Sequence, residues 1–192
     1  MIAGGTPTPS ELRSRKYAFK LRRSPIAGYG GFATRRIRKG QRIIEYVGEI
    51  ITEKESDRRY PDGKGNNHHT FLFELDDNKV IDASYGGNEA RFINHSCQPN
   101  CEAIDEDNRI FIFAKKNIQP GVELAYDYMY ARSKGDGPKE EAQYPCNCGA
   151  KRCRGTIMEP KKRKRKRSAA AGHHKSGARQ THTHRKGKKR RK

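Results

Sequence analysis

The sequence predicts a mainly β fold, carried by the residues up to about Pro160 and followed by a disordered basic tail. Three observations predict it. Short apolar or alternating runs recur at turn-like spacing, with little helical periodicity between them. Hydrophobic residues make up only 32% of the 192, so part of the chain is not packed into a core. The formal charge of +20 is concentrated at one end. Residues 161–192 hold 16 of the 42 Lys and Arg and no acids, which leaves 26 basic against 22 acidic residues, or +4, for the rest.

The elements follow in order. Residues 1–15 are rich in Gly, Pro and Thr and are expected to be flexible. YAFKLRR (Tyr17 to Arg23) alternates like a strand, and QRIIEYVGEII (Gln41 to Ile51) reads as a buried strand pair. Thr52 to Glu55 matches a capping box, so a short polar helix should follow and stop before Pro61. DGKGNNHH then reads as an exposed loop. TFLFEL and KVIDA form a hairpin about Asp76-Asp77-Asn78, and CEAI and RIFIFA repeat the pattern about DEDN. ARSKGDGPKEEAQ reads as a linker over 132–143.

Composition also excludes some classes. No apolar run is long enough to cross a bilayer, and MIAGGTPTPS has neither the basic nor the hydrophobic region of a signal peptide. The five Cys are odd in number and clustered, which favours metal binding in a reducing compartment over disulfides. The tail, opening with KKRKRKR, has the composition of a nuclear localisation signal or a phosphate-binding patch. Its charge predicts salt-sensitive, sequence-independent attraction to nucleic acid.

Several constellations carry chemistry. AGYGGFA (Ala27 to Ala33) fits G-x-G-x-x-A formally, but TRRIRKG after it is a poor helix and no βαβ repeat has room. A glycine turn, or a turn whose backbone approaches a ligand closely, remains. PCNCGAKRCRG places Cys146, Cys148 and Cys153 within eight residues, three of the four ligands that structural zinc takes. The fourth could be Cys97 or Cys101, both in RFINHSCQPNC (Arg91 to Cys101). That stretch also admits a thiol nucleophile beside His95, although adjacent residues on a turn seldom face one another. YDY (Tyr126 to Tyr128) completes the set.

Taken in order, SPIAGYGGFA, EYVGE, GNEARFINHSCQPNC, GVELAYDY and CNCGAKRCRG resemble the motifs of SET-domain protein lysine methyltransferases with a post-SET zinc segment. The resemblance spans about Ser24 to Gly155. It implies small curved β-sheets with a C-terminal pseudoknot, in which the Tyr126–Tyr128 segment passes the loop near Asn94. It also implies a SET domain over 16–131, a post-SET zinc segment over 144–160 and a disordered polybasic tail over 161–192.

By the same resemblance the cofactor is S-adenosylmethionine, held by Ala27, Tyr29, Asn94 and His95, with Asn147 over its adenine. Phe71 stands where many members have a cofactor-contacting Tyr. Structural zinc would take Cys97, Cys146, Cys148 and Cys153, leaving Cys101 a spare thiol. Tyr46, Phe71, Tyr126 and Tyr128 would line a channel that desolvates the substrate lysine. A free amine of pKa about 10.4 is a poor nucleophile until its proton is lost. Tyr128 would orient amine and methyl group, and a Tyr at position 126 implies mono- or dimethylation over trimethylation. The implied substrate is a histone or another chromatin or nucleoid protein, modified in the nucleus or, for a bacterial chain, at the nucleoid. Nucleic acid would bind the tail without sequence preference, no membrane is involved, and the chain would act as a monomer. The rival reading is a degenerate SET scaffold serving as a zinc-containing nucleic-acid-binding protein.

Overall fold

Ten short strands build four small sheets in the computed structural model, which describes residues 17–61, 71–75, 78–133 and 135–161. The expected flexible N-terminus, the DGKGNNHH loop and the basic tail beyond Lys161 lie outside the described residues.

β1 (Phe19–Arg23) and β2 (Tyr29–Ala33) form an antiparallel hairpin. Its SPIAG connection closes with Ser24 N donating to Gly28 O at 3.0 Å, and Gly28 adopts φ +43°, a conformation that glycine supplies without strain. QRIIEYVGEII divides at Val47-Gly48 into β3 (Arg42–Tyr46) and β4 (Glu49–Thr52), which enter different sheets rather than pairing with each other. The reason is local. A Cβ on Gly48 would stand 2.5 Å from Asp82 O, so glycine alone lets the chain cross close beside the neighbouring strand.

β4 pairs with β6 (Lys79–Asp82), which also takes β5 (Leu72–Leu75), in the order β4-β6-β5. β3 pairs with β9 (Ile110–Ala114), flanked in turn by β8 (Cys101–Asp105), in the order β3-β9-β8. The pattern of each strand suits its place. Central β9, IFIFA, is almost wholly buried, whereas edge strand β8, CEAID, is not. Asp107 and Asn108 both adopt φ near +60° in the β8–β9 turn, the conformation Asp and Asn tolerate best after Gly.

The predicted helix forms over Glu53–Arg59. Thr52 Oγ1 accepts from Glu55 N at 3.2 Å as expected, but the Glu55 carboxylate is taken by Arg58 and Arg59 instead of reaching back. No helix among the described residues is long and apolar enough to cross a membrane.

One core joins the sheets. Phe19, Ile37, Ile93, Ile112, Ile118 and Leu124 are essentially fully buried, and each such side chain contributes about 1.5–3 kcal/mol of transfer free energy. The last pairing decides the site. β7 (Asn94–His95) and β10 (Ala125–Tyr126) run parallel, though far apart in sequence. On one side Leu124 N donates to Gly31 O at 2.7 Å, and on the other Ser96 N donates to Tyr126 O at 3.0 Å. β10 is thus sandwiched between the hairpin and the Asn94–Asn100 stretch, the knot-like crossing that the resemblance implies.

Candidate active site and cysteine cluster

A 3-10 turn over Glu89–Phe92 delivers β7 to the crossing. Asn88 caps it, accepting from Ala90 N at 3.1 Å and donating to Glu45 O at 2.8 Å. Asn100 then fastens β10 from the far side. It accepts from Ala125 N at 2.9 Å, and its amide donates to Glu123 O at 2.7 Å.

Asn94 sits in a nest of acceptors. Its Nδ2 lies 3.1 Å from Ser24 Oγ, 3.3 Å from Ala27 O, 3.0 Å from Tyr29 O and 2.9 Å from Glu123 Oε1. Two amide hydrogens face four acceptors, so the cradle is richer in acceptors than Asn94 can satisfy. It suits a cationic donor. Gly30 makes the approach possible: a Cβ there would come within 2.1 Å of Glu123 Oε1. A cleft of about 320 Å³ adjoins this nest, lined by Pro25, Ile26, Ser96, Asn100, Glu123 and Cys148 among others.

Beside the cradle lies a cluster of rings. Tyr46 packs against Phe73 at 5.4 Å between centroids, Phe73 stacks on Tyr126 at 6.4 Å, and Tyr126 meets Tyr128 at 4.8 Å. Tyr46 donates to Phe71 O at 2.9 Å and Tyr128 to Ile93 O at 3.0 Å. Burial pushes all three phenols above their usual range, so they are neutral donors at physiological pH. Tyr128 keeps 36% of its surface exposed, but its hydroxyl is turned inward onto Ile93, which is the part that titrates.

The Phe71 ring packs instead on Phe92 at 5.7 Å, and Phe92 on Tyr29 at 6.4 Å. Phe71 therefore joins the cluster by its carbonyl and the Tyr29 side by its ring. Phe73, the ring that touches both Tyr46 and Tyr126, was not foreseen. The strand alternation in FLF, which puts 71 and 73 on one face, was the available signal.

The cysteines converge as expected. The sulfurs of Cys97, Cys146, Cys148 and Cys153 all lie within 4.8 Å of one another, with Cys97–Cys146 at 3.7 Å and Cys97–Cys153 at 4.0 Å. Zn–S bonds of about 2.3 Å in a tetrahedron would set the sulfurs about 3.8 Å apart, so the donor set fits zinc. Backbone amides support it: Cys97 N reaches Cys148 Sγ at 3.5 Å, Arg154 N reaches Cys97 Sγ at 3.3 Å and Gly155 N reaches Cys153 Sγ at 3.4 Å. Burial would raise the Cys148 thiol, but the amides of Cys97 and Ala150, with hydrogen bonds from the Cys146 and Cys153 thiols, bring it down to about 6. Cys146 is pushed up by burial and by its neighbouring thiols. Four close thiols cannot all ionise together without a cation, which is the charge that a divalent metal supplies. Cys101 stands apart, fully buried with its thiol on Asn100 Oδ1, and burial pushes it up to about 12.

His95 bridges the two regions. Its Nδ1 accepts from Tyr128 N at 3.1 Å, which assigns the proton to Nε2, 3.3 Å from Cys97 Sγ. Burial, opposed by Asp127, brings its pKa down to about 4, so the ring is neutral. Asp127 itself would be raised by burial, but the Arg154 guanidinium and the Met129 amide hold it below the usual range. Asn147 is exposed between Cys146 and Cys148, and Ala27 and Tyr29 present their carbonyls to Asn94.

The sequence is similar to those of known proteins. The model of the SET domain family matches residues 28–129. The chain is 44% identical over 148 residues to the histone-lysine N-methyltransferase trr of Drosophila melanogaster, covering 75% of this chain and 6% of that protein. It is 43% identical over 150 residues to the human histone-lysine N-methyltransferase 2B, covering 74% and 5% respectively. A histone-lysine N-methyltransferase of Mycosarcoma maydis, H3 lysine-4 specific by name, is 41% identical over 150 residues, covering 76% of this chain and 10% of that protein. The chain belongs to the SET-domain family. It spans a tenth or less of the length of these three relatives.

Proposed function

We propose that this chain is an S-adenosylmethionine-dependent protein-lysine N-methyltransferase acting on histones or other basic chromatin proteins, with mono- or dimethyl-lysine as product. The observation that carries the reading is the meeting of the Asn94 acceptor nest with the neutral rings of Tyr46, Phe73, Tyr126 and Tyr128. The names of the relatives support the histone substrate and, with it, action in the nucleus. The proposed limits are a SET domain over 16–131, a linker over 132–143, a post-SET segment over 144–160 and a basic tail from 161.

S-adenosylmethionine, when bound, supplies the methyl group, whose bond to sulfur breaks as its bond to the lysine nitrogen forms. Ala27 O, Tyr29 O and Glu123 would accept from the cofactor's ammonium end, with Asn94 positioning these acceptors, and the cleft by Ile26 and Ser96 would give room for its adenosyl part, which Asn147 would help to hold. The rings of Tyr46, Phe73 and Tyr126 exclude water from the lysine and favour its neutral form. Tyr128 donates its proton to Ile93 O, so its oxygen lone pairs face the reacting groups and orient them. No residue is covalently modified; rate comes from positioning and fixed dipoles. Cys97, Cys146, Cys148 and Cys153 would hold zinc, which would fasten residues 144–160 to the Cys97 loop.

The peptide has a route. A cleft of about 410 Å³ between edge strands β5 and β8 is lined by Phe73, Leu75, Ile110, Glu74 and Asp105. Strand edges that pair with no further strand among the described residues, and two acids, suit an extended basic peptide, and Phe73 connects the cleft to the ring cluster.

The rival is a scaffold that binds nucleic acid through residues 161–192 without catalysis. Labelled cofactor incubated with purified histones separates them, using the full chain and one ending at Pro160. Transfer by both chains is expected. Nucleic-acid binding with no transfer by the full chain in the presence of zinc would favour the scaffold.

A further inference from the structure

The cluster of four cysteines and the tyrosine strand are joined by an ion pair that neither the motifs nor the channel explains. Arg154 follows the last cysteine of the cluster, and its guanidinium grips Asp127 with both forks: Nη1 to Oδ2 and Nη2 to Oδ1, each at 2.7 Å. Asp127 lies between Tyr126 and Tyr128 and also accepts from Met129 N at 3.2 Å. Arg154 is held at its other end too, because its own amide donates to Cys97 Sγ at 3.3 Å. The pair is largely shielded from solvent, with side-chain exposures of 19% and 22%. A bidentate charge-assisted contact in that setting fixes direction as well as distance. Another link from the cluster to this strand runs from Cys97 Sγ through His95 to Tyr128 N. The first ends on Asp127 and the second on the Tyr128 amide, while Tyr130 beyond them is bonded through its backbone to Ile157 and Glu159.

We infer that Arg154 is a positioning residue: through its two-pronged contact with Asp127 it transmits the folded, metal-bound state of the cysteine cluster to the backbone that aims Tyr128. The inference rests on the reading of Tyr128 as the residue that orients the amine. It makes a loaded cluster a condition for an aligned catalytic strand, not only for a closed cofactor site.

The test uses the full chain loaded with zinc, as wild type, Arg154→Gln, Arg154→Lys and Asp127→Asn. Metal content and melting temperature are measured first, then amide hydrogen exchange at Tyr128 and Met129, then kcat and KM. Arg154→Gln should keep its zinc while the Tyr128 and Met129 amides exchange about tenfold faster, as for a locally loosened segment. Its kcat should fall about tenfold or more with KM for the cofactor little changed, the signature of lost alignment. Arg154→Lys should recover only part of this, since a single ammonium cannot serve both carboxylate oxygens. Asp127→Asn should resemble Arg154→Gln. Unchanged exchange in zinc-loaded Arg154→Gln overturns the inference. So does loss of zinc from that variant, because Arg154 would then act on the cluster itself. Faster exchange with unchanged kcat removes the link to catalysis. Exchange is read without turnover, so a wild-type chain that transfers no methyl group would defeat the functional reading and leave the clasp standing or falling on its own.

Discussion

Tyr46, Tyr126 and Tyr128 differ in where their hydroxyls go. Tyr46 and Tyr128 each donate to a backbone carbonyl, of Phe71 and Ile93, and are thereby locked. Among the described residues Tyr126 has no such bond, although it is only 8% exposed. Its hydroxyl is thus the one left to meet an incoming amine or a water. Removing it frees space for a further methyl group without disturbing the ring contacts to Phe73 and Tyr128. Tyr126→Phe should therefore shift the product toward higher methylation while keeping overall turnover within about an order of magnitude. Mass spectra of the modified histone peptide check this, and an unchanged distribution of methyl states would count against the assignment.

Among the elements, the helix Glu53–Arg59 shows how local chemistry is redirected by its surroundings. Arg59 reaches Glu49 on β4 at 2.8 Å, Glu55 at 2.8 Å and the fully buried Asp82 on β6 at 3.0 Å, and Tyr60 adds a hydrogen bond to Asp82. That network docks the helix on the β4-β6-β5 sheet. Arg58 first, then Arg59, lower the Glu55 carboxyl from its ordinary 4.5 to about 2, and Arg59 lowers Glu49 as well. Asp82, which burial would raise, is held low by the Ser84 amide, Tyr60 and Arg59. Groups whose folded pKa is depressed stabilise the fold above their unfolded pKa and lose that contribution as pH falls through the folded one. The melting temperature should begin to fall below about pH 6.5, as His95, neutral in the fold, is protonated in the unfolded chain, and fall further between about pH 4.5 and 2, with a shallower fall over that lower range in Glu55→Gln. Melting curves across that range that coincide for the two proteins would show that the network does not dock the helix.

At the scale of the whole molecule, motifs contiguous in sequence were legible and contacts across it were not. The strand hairpins, the helix stop before Pro61 and the cysteine spacing each depend on a few neighbouring residues, and each is where the sequence puts it. The division of QRIIEYVGEII between two sheets was hidden, because it depends on what stands opposite Gly48. Asn100 and Glu123 looked like ordinary polar residues until the β7–β10 crossing brought Glu123 under Gly30 and Asn100 against Ala125. Asp127 and Arg154 are 27 residues apart and meet only because the cysteine cluster folds residues 144–160 back onto the strand. The pairing of β7 with β10, 31 residues apart in sequence, has no local signal, and the resemblance rather than the pattern of residues foresaw it.

The measurement that bears most directly on lysine methylation by this chain is a comparison of zinc-loaded wild type with Tyr128→Phe, using labelled S-adenosylmethionine and a histone substrate. Wild type should place label on lysine side chains, and Tyr128→Phe should lose about a hundredfold or more in kcat while retaining its affinity for the cofactor. Equal transfer by the two proteins would contradict the role given to Tyr128, and no transfer by the wild type would contradict the function itself.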